Sequence, residues 1–200
     1  TYYALLAEKQ LFGEDYFYHQ LIEISMKLHT GSMDKSDPEF ILQKGVLAAH
    51  YIRESAGEAT FKAAVKHFLV KSNWLNCTLD EFLKQIAISS EFNNAYFKKK
   101  WIDNPGLPYD DMEILFQKNK FAKQYLQLQQ EPLKITENKA KILEILNDPK
   151  VYYPIKTQLV YQSVSVPMEK KDYLLKAALK TNDVKIRQSI EKKKKNIPES

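Results

Sequence analysis

Residues 38–70 read PEFILQKGVLAAHYIRESAGEATFKAAVKHFLV. Pro38 stands where a helix tolerates proline, in a first turn whose amides have no intrahelical partner anyway. Beyond it, Ile41, Leu42, Val46, Leu47, Ala49, His50 and Ile52 recur at the three- and four-residue spacing of a helix. Gly57 stops this run. A second begins at Glu58 and carries Phe61, Ala64, Val65, Phe68 and Leu69 to about Lys71. The stretch predicts two successive amphipathic helices, and with them a mainly α fold.

The same period extends in both directions. Towards the N-terminus, Thr1–Phe12 carries Tyr2, Leu5, Leu6 and Leu11, and Gly13 breaks it. Glu14 and Asp15 suit the positive end of the next helix, which runs to about His29 with Phe17, Leu21, Ile24 and Leu28 on one face. Residues 30–37, TGSMDKSD, read as a polar loop. Towards the C-terminus, Thr78 followed by Glu81 forms a capping box opening a helix over Leu79–Ile88. Ser90 is expected to cap a further helix reaching about Trp101. Asn104-Pro105-Gly106-Leu107-Pro108 reads as a turn and a boundary.

The segment 112–130 is ambiguous. Met112, Leu115 and Phe116 fit a helix, whereas Tyr125-Leu126-Gln127-Leu128-Gln129 alternates as a strand does, and the reading favours a short β-hairpin. Helices resume over about 137–146, 154–164, 169–179 and 183–193. These last elements are short and amphipathic and are separated by Asn-Asp-Pro, Val-Pro and Thr-Asn-Asp breaks. They read as stacked helical pairs of HEAT type, without strict repeats.

Composition agrees with the helical reading. Among 200 residues, 44% are hydrophobic, and only five are glycine and eight proline. Charge is uneven: residues 1–110 hold 12 Lys and Arg against 14 Asp and Glu, and residues 111–200 hold 18 against 11. The basic half is almost all lysine, since Arg53 and Arg187 are the two arginines. Nucleic-acid surfaces draw on arginine with aromatic readers, so no nucleic-acid partner is expected. No run approaches the ~20 apolar residues of a membrane span. Cys77 is the one cysteine, which leaves no intrachain disulfide and no cysteine-based zinc site.

Catalytic motifs are missing from the sequence. His19, His29, His50 and His67 lie ten, twenty-one and seventeen residues apart, and none forms the i,i+4 pair that sets two imidazoles on one zinc ion. Each reads as a surface or core histidine. Neither a GxSxG elbow nor a phosphate-binding glycine loop occurs. Cys77 sits at a loop-to-helix junction that would favour a thiolate, but without a placed histidine. The pairs Glu14/Asp15, Asp80/Glu81 and Asp110/Asp111 fall at helix starts or turns, where the helix dipole accounts for them. The runs Lys98–Lys100 and Lys192–Lys195 read as solvated helix ends.

One pattern is more specific. Gln43-Lys44-Gly45, then Leu47, His50 and Arg53, then Gly57-Glu58 and Phe61, resembles the M1 family of zinc aminopeptidases (gluzincins), in which Tyr-x-Lys-Gly precedes a leucine-rich helix and a Gly-Glu-x-x-Phe start. The likeness continues through Phe68-Leu69, Trp74, Cys77-Thr78-Leu79-Asp80-Glu81-Phe82, Trp101 and Pro105-Gly106-Leu107-Pro108. Thr1-Tyr2-Tyr3-Ala4-Leu5 is similar to the small-residue, aromatic helix just past the family's third zinc ligand. Residues 137–200, with Asn147-Asp148-Pro149, Asp183–Arg187 and Ile197–Ser200, are more weakly similar to the HEAT-like C-terminal part of some bacterial members.

The resemblance implies that residues 1–110 are the helical half of a thermolysin-like catalytic domain, 111–136 a linker or short hairpin, and 137–200 an incomplete HEAT-like region. It implies a parent in which zinc activates a water to hydrolyse a peptide bond, the HExxH motif and third ligand preceding Thr1. This chain would then bind no zinc and be inactive alone. Its partners would be the zinc-bearing part of the same protein and, in the parent, a peptide substrate. The family's tyrosine, which hydrogen-bonds the developing oxyanion, aligns with Leu42, and leucine has no donor. Phe40 cannot replace it, and Tyr51 lies about two turns further along. Lys44 and Gly45 remain as a motif remnant, expected to serve as a helix-surface charge and a close-packing point. The resemblance equally allows a non-catalytic scaffold or interaction module.

Overall fold

In the computed structural model, Gly13 and Gly57 set the course of the first helices. The structure describes residues 1–31, 33–72, 78–181 and 183–194. Gly13 (φ 90°) lies between α1 (Tyr2–Phe12) and α2 (Glu14–His29), and Gly57 (φ 89°) between α3 (Pro38–Ala56) and α4 (Glu58–Ser72). A side chain is strained at such positive φ, so glycine lets each chain reverse into a new helix with no intervening loop. The expected spans hold closely. Asp37 caps α3, its carboxylate accepting from Glu39 N with Pro38 in the first turn. Thr78 and Glu81 make the full reciprocal capping box of α5 (Leu79–Ile88).

The next helix differs from expectation. Ser90 does not cap it but donates its hydroxyl to Ile86 O at the end of α5. Asn93 is the cap, accepting from Tyr96 N, and α6 (Asn94–Phe97) passes directly into a π-helical segment, Lys98–Ile102. Lys98 there bridges Asp80 at 2.7 Å. The segment 112–130 is also a correction. It is helical, forming α7 (Tyr109–Lys118) and α8 (Lys120–Gln130) with Asn119 extended between them, so the expected β-hairpin does not form. The strand-like alternation covers five residues. The wider window puts Phe121, Ala122, Tyr125, Leu126 and Leu128 inside at helical spacing, on a chain rich in helix-favouring Lys, Gln and Leu. Among the described residues there is no strand.

The chain divides into two compact units, Thr1–Asn119 and Lys120–Ser200. In the first, α3 is central and touches α1, α2, α4 and α7. Phe17, Leu21, Ile22, Phe40, Leu47, Ile86, Phe97, Trp101, Met112 and Phe116 are buried in it. Tyr51, on α3, lies against Phe97 and Trp101.

The second unit continues from α8 through α9 (Lys139–Asn147), α10 (Tyr153–Gln162), α11 (Met168–Lys180) and α12 (Val184–Lys194). Here α10 is central, touching the other four helices, over a core of Ile142, Leu146, Ile155, Leu159, Leu174 and Ala178. Gln162 fastens α10 to the end of α8, donating to Leu128 O and accepting from Leu133 N. Buried Lys171 donates to Ser163 O (3.1 Å) and Val164 O (3.0 Å), satisfying carbonyls just past the end of α10. Lys171→Met keeps the stem but removes these donors. It is expected to destabilise the second unit by about 1–3 kcal/mol, read as a lower thermal midpoint.

Candidate functional site

The Lys44–Gly45 segment occupies the first half of α3. Leu42 points outward, 52% exposed, beside Ile41 at 61%. Lys44 is not a simple surface charge: its ammonium donates to Asn104 O, sixty residues away, and is half-buried. Burial first, and the nearby Lys35 second, hold its pKa below the ordinary lysine value. Asn104 in turn accepts from Gly106 N through its side chain, so Lys44 pins an Asx turn that leads into α7.

Gly45 departs from expectation. It is exposed, its φ is ordinary, and a Cβ built on it meets nothing within 4 Å, so among the described residues nothing packs closely at this position. Gly45→Ala is therefore expected to stabilise the first unit by about 0.5–1 kcal/mol, through the entropy that glycine loses on folding, and a denaturant melt would show it.

The histidines do not converge. His29 stacks on Tyr109 at 4.2 Å, His19 lies 3.8 Å from Glu23, and His67 is exposed. Among the described residues, no three His, Cys, Asp or Glu side chains come together as metal ligands, and no helix is long and apolar enough to cross a membrane. A zinc ion therefore has no site among them. Trp74 and Cys77 lie outside the described residues.

His50 has a more particular setting. It is fully buried among Tyr2, Phe17 and Tyr18, with ring centroids 5.5–6.1 Å away. Its Nδ1 lies 3.2 Å from the Tyr2 hydroxyl, and Nε2 has no hydrogen-bond partner. Arg53, one turn further along α3, pairs with Glu58 at 2.8 Å. In the neutral imidazole tautomer that leaves Nδ1 bare, the Tyr2 hydroxyl donates to it. Burial pushes the His50 pKa down to about 3, with the Arg53 and Lys9 charges adding to it, and burial pushes Tyr2 up to about 12. The sequence marks His50 only as a core or surface histidine. The i,i+3 pair His50/Arg53 is visible in it, but not that α1 brings Tyr2 to His50.

Asp111 is a buried carboxylate of this unit. Its two oxygens accept from Trp101 Nε1 (2.9 Å) and the Tyr96 hydroxyl (2.7 Å). The hydrogen bond to Asp111, with burial second, raises the Tyr96 pKa to about 12. The Asp110/Asp111 pair does start α7, as the dipole argument requires, but Asp111 also fixes the tryptophan of the π-helical segment.

Comparison with known proteins adds no relative: no protein-family model, curated protein or solved structure matches the chain. What the arrangement defines is thus a class only, an all-α protein of two helical units whose described residues hold buried polar links.

Proposed function

We propose that this chain is part of an M1-type zinc aminopeptidase, lying C-terminal to the zinc-binding residues and inactive without them. The carrying observation is the link from Lys44 to Asn104. It joins the two motif blocks on which the resemblance rests, Lys44-Gly45 and the turn through Gly106 and Pro108, although sixty residues separate them. In this reading the first unit is the helical half of a thermolysin-like domain and the later helices are a HEAT-like region. Zinc, when bound by the residues preceding Thr1, supplies the activated water, and a peptide is the substrate. The chain's own contribution is a wall beside the reaction, with Leu42, exposed and apolar, at the place of the oxyanion-binding tyrosine.

The exposed face of Ile41, Leu42 and Gly45 fits a wall covered by another part of the parent. Leu42 favours a second reading, a non-catalytic M1-like scaffold, because no donor stands at its position. Zinc content and aminopeptidase turnover of the longest expressible parent, with and without Leu42→Tyr, separate the two. Zinc with turnover supports the enzyme. Zinc without turnover, gaining about 10²–10³-fold in kcat on Leu42→Tyr, the typical value of one oxyanion donor, identifies a degenerate catalyst. Absence of both zinc and turnover in either form overturns the peptidase reading.

A further inference from the structure

We propose that the buried contact between the Tyr2 hydroxyl and His50 Nδ1 is an acid-released latch holding α1 against α3 and α4. The inference is independent of the peptidase reading, because it rests on how these two side chains are placed.

Tyr2 carries the aromatic attachment of α1 to α3 and α4. Tyr2 is the one residue of α1 that is fully buried. Its ring meets Phe17 of α2 at 6.4 Å, His50 of α3 at 6.1 Å and Phe61 of α4 at 6.1 Å. Leu5 and Leu6 are only half-buried, and Leu11 and Phe12 are 77% and 62% exposed. Freeing Tyr2 therefore removes the ring that ties the helix to α3 and α4, while Lys9–Glu14 still joins it to α2 and Phe17, Leu21, Leu47 and Phe61 stay inside α2 to α4.

Proton addition to His50 breaks this link. Where Nδ1 accepts from Tyr2 it is the basic atom of the neutral ring, and an imidazolium there turns an N–H towards the Tyr2 oxygen, so the Tyr2 proton loses that acceptor. The second N–H, on Nε2, is unpartnered in either state. The charged groups around the ring offer no relief. From α1 comes Lys9, whose ammonium sits over Phe17 at 5.3 Å and pairs with Glu14 of α2 at 2.8 Å. From α2 comes the Tyr18 hydroxyl. From α3 comes Arg53, with Glu54 3.7 Å from it, and from α4 comes Glu58, held by both Arg53 and Lys62. Both cations are close enough to raise the cost of a third, and the carboxylates that could offset it are occupied by those cations.

A group whose folded pKa is depressed favours the open state as pH falls below its free value, about 6.5 for histidine, and continues to do so down to the folded value. Here that window runs from about 6.5 down to about 3. For a ring protonated only when α1 lifts, the opening constant grows by about 25-fold between pH 7 and pH 5.

Hydrogen exchange read by mass spectrometry at pH 7 and pH 5, each corrected for the intrinsic chemical rate, tests this on the intact chain. Amides of α1 are expected to lose protection by about 25-fold, with those of α3 and of α10 changing by less than about threefold. His50→Gln is expected to abolish the difference between the two pH values. Equal loss in α1 and α3, no loss in α1, or an unchanged difference in His50→Gln would overturn the latch. Should His50→Gln not fold, the His50 imidazole resonance in the unaltered chain decides. A ring that stays neutral at pH 5 in the closed state supports the proposal, and one that titrates near pH 6.5 with α1 still protected overturns it.

Discussion

Phe17→Ala should destabilise the first unit by about 3–5 kcal/mol, enough to leave a large share of a typical small domain unfolded at moderate denaturant. The ring is wholly buried and touches Tyr2, Tyr18 and His50, with the Lys9 ammonium over it. Truncation removes the transfer energy of the ring and leaves a cavity bounded by rigid aromatic groups on three helices, which cannot close over it by small shifts. The cavity also borders His50 and would admit water to a histidine whose neutrality depends on exclusion from it. Urea titration followed by far-ultraviolet circular dichroism would measure the loss. A change under about 1.5 kcal/mol would mean that α1 and α2 repack around the gap and that the aromatic cluster is not the centre of this unit.

Asp111→Ala is expected to cost about 2–4 kcal/mol, through a different mechanism. Burying a carboxylate is unfavourable unless its oxygens are satisfied, and both are, by Trp101 and Tyr96. Removing them leaves the Trp101 indole N–H buried without an acceptor, while Tyr96, 38% exposed, can turn to water. The loss should therefore fall on the tryptophan: its near-ultraviolet signal should weaken along with stability, because the π-helical segment no longer has a fixed point on α7. Asp111→Asn provides the control. It keeps one acceptor oxygen but turns an amide donor towards the second donor, so a loss of about 1–3 kcal/mol is expected. If Asp111→Asn were as stable as the parent chain, the second hydrogen bond would be dispensable and Asp111 would be acting mainly through the dipole of α7.

Much of this protein comes from local sequence. The spans of α1 to α5 arise from a 3.6-residue period punctuated by Gly13, Pro38, Gly57 and the Thr78/Glu81 box, each acting within a few residues of itself. The four C-terminal helices end within a few residues of their expected limits for the same reason. The hairpin expected over 112–130 does not form because a five-residue alternation is a weaker signal than the longer apolar spacing that α8 buries. Ser90 and Asn93 are both good capping residues; the Ser90 hydroxyl turns back to Ile86 O, and Asn93 takes the cap.

The buried polar links are out of reach of any such reading. Tyr2, His50, Arg53 and Glu58 are ordinary residues of three helices until the helices pack, and the sense in which they hydrogen-bond is set only by which atoms end up within about 3 Å of one another. Asp111 reads as a helix-start carboxylate, and Lys44 as a surface lysine, because their partners Trp101 and Asn104 are ten and sixty residues distant. Gly45 shows the opposite case: glycine suggests close approach, yet none of the described residues approaches it. The sequence by itself determined the helices, because turns, caps and periodicity are local free energies. The tertiary structure alone decided which polar atoms are hidden and with what partner, because burial is a property of the assembled core and has no local code.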